Sequence, residues 1–200
     1  MGITERRQRQ KEEVRSNILH SAWQIVEQEG WQALSIRKIA DAIEYSIPVI
    51  YSHFASKDAI LLEFIKEGFH RLSQQLGQAN RKHTDPYQQL EAMAQAYWDF
   101  AFTSKEYYQV MFGLGIPACE MVNQVEEMQT FSNTILESLK QAIAISSQPQ
   151  TDHWLKFHTY WSILHGLVSI QLIDNHERHN LTRQMILQDA IAGFIYALKG

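Results

Sequence analysis

Apolar residues recur along the chain every three or four positions, the period of a helix that buries one face. Val14, Ile18, Ala22 and Ile25 predict a first helix from about Glu5 to Glu29, with Gly30 where a C-cap belongs. Ser35 opens a short second helix that turns Ile36, Ile39, Ala40 and Ile43 inward. Glu44-Tyr45-Ser46 reads as a tight turn. Ser46 caps a third helix with Ile47, Ile50 and Phe54 as its apolar positions; Pro48 sits in its first turn, where a missing N–H costs nothing. Ser56 caps a fourth helix that reaches about Asn80, and Asp58 meets its positive end. The same period predicts a fifth helix from Asp85-Pro86 to Thr103 and a sixth over Lys105–Phe112. Gly113, Gly115 and Pro117 break the chain before a seventh over Ala118–Ile145; an eighth spans Asp152–Ile173 and a ninth Leu181–Leu198. No segment favours a strand, so the expected fold is all-α, about nine helices. A three-helix head, residues 1–56, precedes a larger helical body, residues 57–200.

Composition narrows this picture. With 45% hydrophobic and 20% charged residues the chain can bury a core and is not disordered. One cysteine, Cys119, excludes an internal disulfide framework and a cysteine-rich zinc site. The net charge of −4 does not announce a nucleic-acid partner, but its distribution is uneven. Residues 1–15 hold five basic side chains against three acids, and residues 61–200 hold ten against fourteen. No apolar leader follows Met1, and the uncharged run Phe157–Ile173 is shorter than the ~20 apolar residues of a membrane span. The expectation is a cytoplasmic chain with no membrane partner.

Helix, short turn and helix across Ser35–Phe54 is the layout of a helix-turn-helix. Ile18, Ala22, Ile25, Leu34, Ile39, Ala40, Ile43, Ile50 and Phe54 can form a mini-core beneath it. The third helix is then free to enter a major groove about 12 Å wide, although any three small packed helices share this layout. Four pieces in order are more specific. Ala22–Trp31, Leu34–Ala40, Ser46–Phe54 and Ser56–Leu61 resemble the amino-terminal region of the tetracycline-repressor (TetR) family. That resemblance implies an all-helical homodimer that binds double-stranded operator DNA and is released by a small-molecule effector, with residues 1–56 as the DNA-binding domain. Residues 57–200 would bind the ligand and dimerise. The turn departs from the family, which has glycine where this chain has Glu44. A left-handed backbone there costs about 1 kcal/mol relative to glycine.

By position, the resemblance assigns phosphate contacts to Ser35, Tyr51, His53 and Lys57, all of which carry suitable donors. Arg37 and Lys38 add cations on the second helix, and Tyr45, Ser46, Ile47 and Val49 stand where bases would be read. Each has a plainer reading: a cap, a cover for the mini-core, or solvated surface. Arg6, Arg7 and Arg9 read either as an arm reaching a minor groove or as a disordered solubilising tail.

In the body, Trp98, Phe102, Tyr108, Phe112, Met121, Val125, Met128, Trp161 and His165 are candidates for an apolar effector site, with His165 as polar anchor. The same residues also read as a solid core. Trp161, His165 and Gly166 resemble the Trp-His-Gly signature of one carboxy-terminal branch of the family. Ile163, Gly166, Leu167 and Ile170 form one stripe and Ile186, Ala190, Gly193, Phe194 and Ala197 another, the expected dimer face. His176 and His179 lack a placed third ligand, so no metal or other cofactor is expected. No nucleophile elbow or phosphate-binding glycine loop points to an enzyme. The alternative is a helical protein–protein adaptor that does not bind DNA.

Overall fold

The computed structural model describes residues 2–113, 125–173 and 180–200. Among them every regular element is helical: α1 (Ile3–Glu29), α2 (Ile36–Ala42), α3 (Ile47–His53), α4 (Lys57–Asn80), α5 (Pro86–Thr103), α6 (Lys105–Met111), α7 (Glu126–Ala144), α8 (His153–Ile173) and α9 (Asn180–Lys199). A 3₁₀ turn, Trp31–Ala33, follows α1. The all-α expectation holds. Cys119, Met121, His176, His179 and the expected first turns of the seventh helix lie outside the described residues.

The described residues form two compact units: 2–67 with 106–113, and 68–105 with 125–173 and 180–200. In the first, Gly30 ends α1 with φ 81° and donates its N–H to Val26 O at 2.8 Å. Ser35 caps α2, its hydroxyl accepting from Lys38 N at 3.2 Å. Ser56 likewise accepts from Ala59 N at the start of α4. Ser46 stands at the N-cap of α3, but its side chain makes no cap bond. Eight of the nine expected mini-core residues are buried; Ile43 is half-buried, because it is the C-cap of α2 and turns toward the surface. An aromatic cluster adds to this core. Trp23 stacks on Tyr107 with centroids 4.2 Å apart, Phe64 lies 5.5 Å from both Trp23 and Trp31, and Trp31 Nε1 donates to Glu106 O at 2.8 Å. These contacts bind α6 to α1 and the 3₁₀ turn.

In the second unit α5, α7, α8 and α9 pack around Tyr97, Phe100, Phe131, Leu139, Tyr160 and Leu164, each completely buried. Tyr160, Asn80, Ser138 and Gln89 are paired inside it, as burial requires, whereas Ser73 Oγ is covered without a partner among the described residues. Tyr160 Oη donates to Leu90 O at 2.6 Å, and burial raises its pKa far above the ordinary phenol value. Asn80 donates to Ser138 Oγ at 2.7 Å, which donates onward to Gln89 Oε1. Asp85 caps α5, and Asp152 accepts from the N–H groups of Trp154 and Leu155 at the start of α8.

Candidate nucleic-acid interface

The turn between α2 and α3 settles what a glutamate does in a glycine's place. Glu44 has φ 57°, the only positive value at a non-glycine among the described residues. Tyr45 N donates to Ala40 O at 3.0 Å and Glu44 N to Asp41 O at 3.4 Å. These are the paired bonds of a Schellman cap, with Glu44 in the left-handed position. The carbonyls of Ala40 and Asp41 are satisfied, and the backbone turns sharply enough to launch α3.

Ile50 anchors α3 with no exposed surface. Its outer side carries Tyr45 at 43%, Ile47 at 41% and Tyr51 at 51% exposure. Ser46 is exposed and Val49 half-buried, so the expected base readers and Tyr51 share one accessible region of the turn and α3. Arg37 and Lys38 are exposed on α2; Lys38 is engaged with Glu29 at 2.7 Å. Lys57 is half-buried in the first turn of α4. His53 ends α3 half-buried, with Nδ1 covered and without a hydrogen-bond partner among the described residues. Burial, then the positive charges of Lys11 and Arg15, lower its pKa below 6.5. Arg15 bonds Glu63 at 2.8 Å and stacks over Phe54 at 4.9 Å, so it ties α1 to both α4 and the end of α3.

The expected effector residues that the structure describes fall in several places, two of them in a groove of the second unit. Trp98 and Phe102 line a groove of about 280 Å³ between α5 and α9, with Asp99, Arg183 and Gln184. A neighbouring groove of about 350 Å³ between the same helices is lined by Glu91, Gln95, Leu187, Gln188 and Ile191. Gln95 and Gln184 bond reciprocally across the same helix pair. Trp161 Nε1 donates to Tyr97 Oη at 3.4 Å, and His165, whose pKa burial lowers, lies near Ser169 Oγ at 3.5 Å. Val125 is buried at the N-cap of α7 and Met128 half-buried in its first turn. Tyr108 and Phe112 belong to the amino-terminal unit, their rings 4.7 Å apart. Sequence reasoning named Trp98 and Phe102 of the α5–α9 grooves but none of their polar lining. Its signal was polar residues four apart on both helices, Glu91 and Gln95, Gln184 and Gln188.

The outer faces of α8 and α9 carry Leu155, Ile170, Met185 and Tyr196 at 61–82% exposure. Gly193 and Ala197 lie exposed with them, whereas Phe194 turns inward and packs 5.3 Å from Tyr160.

Comparison with known proteins agrees with this arrangement. A family model described as bacterial regulatory proteins, tetR family, matches residues 18–64. A second, tetracyclin repressor-like C-terminal domain, matches residues 90–194. The HTH-type transcriptional activator FasR of Mycolicibacterium smegmatis is 31% identical over 102 residues, 51% of this chain. The match spans only about half of that relative, 47% of its length. A protein of unknown function from Rhodococcus sp. RHA1 has the same fold, with a TM-score of 0.74 at 21% identity over 93% of this chain and 95% of its own. The fatty acid degradation regulator FadR from Bacillus halodurans superposes with a TM-score of 0.68 at 16% identity over 93% and 94%. A head capped and cored as a helix-turn-helix, joined to a carboxy-terminal region matched over residues 90–194, places this chain in the TetR family of bacterial regulatory proteins.

Proposed function

We propose that the protein is a ligand-responsive transcriptional regulator that binds operator DNA as a homodimer in the cytoplasm and performs no catalysis. The observation that carries this reading is α3 with the turn before it: a helix of 7 residues fixed from beneath by Ile50 and exposing Ile47 and Tyr51, beside the exposed Tyr45 of the turn. Residues 1–56 serve as the DNA-binding domain and 57–200 as the ligand-binding and dimerisation domain. Ser35, Arg37, Lys38, Tyr51, His53 and Lys57 hold phosphates, which fixes register. Tyr45, Ser46, Ile47 and Val49 meet base edges, where apolar contact with thymine methyls replaces bidentate hydrogen bonding.

Dimerisation uses the outer faces of α8 and α9, whose exposed apolar side chains favour a partner of the same kind. Two heads then read a palindrome. The effector is a small apolar or amphipathic molecule held in the body, where Trp98, Phe102 and Trp161 supply apolar surface and His165 a polar anchor. It acts by binding one head spacing better than the other; about 1.4 kcal/mol of preference shifts the equilibrium tenfold. Repression relieved by effector is the direction proposed, and a reporter fused to the operator reads the sign.

The test is fluorescence anisotropy with the DNA upstream of the protein's own gene against a scrambled duplex. Preferential binding is expected, and Lys57→Ala should weaken binding to both duplexes alike. Absence of any DNA binding at low salt would overturn the reading and favour the helical adaptor.

A further inference from the structure

The amino-terminal basic residues are not an arm. They lie on α1, whose helix begins at Ile3. Every residue from Thr4 to Glu13 is exposed, so no packing holds this stretch helical. Local bonds do part of that: Gly2 N donates to Glu5 Oε2 at 3.0 Å and Gln8 Nε2 to Glu12 Oε1 at 2.8 Å. Arg6, in the first turn, works against it, because a cation near a helix N-terminus opposes its dipole.

The direction of the charges is fixed by Arg15. Its contacts with Glu63 and the Phe54 ring set which side of α1 looks toward the end of α3. At about 100° per residue, Lys11 and Arg7 lie about 40° and 80° from Arg15 on one flank, with Thr4 between. Glu12 and Glu5 lie on the opposite flank at about 60° and 80°, and Glu13, Arg6 and Arg9 are more than about 100° away. A run of cations and neutral polar groups therefore continues from Arg15 along the α3 side for about 12 Å to Arg7. Neither Arg7 nor Lys11 has an ion-pair partner among the described residues. The effect of Lys11 and Arg15 on His53 agrees with Lys11 lying on the side of α1 nearer the end of α3.

We infer that Arg7 and Lys11, presented by the exposed first turns of α1, form a second phosphate-binding element that grips the DNA backbone beside the groove α3 enters. This rests on the DNA-binding reading. Because the contacts are to phosphate, the element acts on any duplex sequence and adds affinity rather than base choice.

The experiment uses the full chain and a mixed-sequence duplex of about three helical turns, with binding constants measured across a salt series. Arg7→Gln/Lys11→Gln keeps helix-forming side chains and should leave far-ultraviolet circular dichroism unchanged. The slope of log K against log salt should flatten by about 3.6, two phosphate contacts from each protomer of the dimer at about 0.9 each, with affinity at low salt falling at least tenfold. Lys82→Gln/Lys140→Gln, which removes the same charge from the body, should leave the slope in place. An unchanged slope in the Arg7/Lys11 variant, while wild type binds, overturns the inference and leaves the DNA reading standing. An equal flattening from Arg6→Gln/Arg9→Gln overturns the stripe in favour of a flexible arm or diffuse attraction. Wild type that ignores the duplex but binds phosphatidylserine vesicles overturns both.

Discussion

The outer face of α3 and the outer faces of α8 and α9 both leave large apolar side chains in water, yet they ask for different partners. On α3, Ile47 and Tyr51 share the chain with Ser46 and Ser52, and the helices on either side in sequence carry Arg37, Lys38 and Lys57. Such a surface suits a polyanion whose bases offer small apolar patches. On α8 and α9, Leu155, Ile170, Met185 and Tyr196 stand among small residues and few cations, which suits another protein surface. Exposure alone therefore does not identify a partner; the groups between the exposed apolar residues do.

The largest expected effect comes from filling the second surface. A Cβ on Gly193 meets nothing within 4 Å, so Gly193→Arg leaves the protomer's fold intact while placing a charge in the proposed dimer face. Sedimentation should show a monomer, and operator affinity should fall more than 100-fold as the two heads uncouple. A persistent dimer would move the interface elsewhere.

Adjacent positions on α3 sharpen the contrast. Ile50 is fully buried and Tyr51 half out. Ile50→Ala should cost about 2–5 kcal/mol of stability, read from the denaturation midpoint. Tyr51→Phe should leave stability within about 0.5 kcal/mol and weaken DNA binding severalfold through the lost phosphate donor. If both changes act on stability alone, α3 is only a structural helix.

Glu44→Gly relieves the left-handed backbone and should raise stability by about 1 kcal/mol. Removing an acid beside the proposed groove should also tighten DNA binding modestly.

The smallest effect is on pH. Burial and nearby Lys11 and Arg15 lower the pKa of His53 below 6.5, so the unfolded chain takes up this proton first as pH falls. Stability should drop on acidification through that value, and His53→Gln should flatten the drop. Burial lowers the pKa of His165 in the same direction, so the difference between wild type and His53→Gln isolates His53. DNA affinity should move the opposite way, rising with acid, because phosphate favours imidazolium.

Helices and caps were legible because each rests on neighbours in sequence: Ser35, Ser56 and Asp85 bond N–H groups two or three residues on. The mini-core was legible for the same reason, since periodicity names the inward face. What escaped depends on residues far apart in the chain. The α5–α9 groove joins Gln95 to Gln184, and the aromatic cluster joins Trp23 to Tyr107. Phe194 fitted an outward stripe by spacing, but the ring of Tyr160 gives it a place inside. The amino-terminal cations carried competing readings, inside a helix from about Glu5 or on an arm or tail, because no apolar period marks them; the run of α1 from Ile3 makes them helix.

The indole of Trp23, lying face to face with the phenol of Tyr107, gives the protein an optical gauge of its own. Sliding α6 by even a fraction of a ring's width would change how that indole is quenched and wetted. With the other four tryptophans replaced, its emission can report a shift of α6 with no label attached.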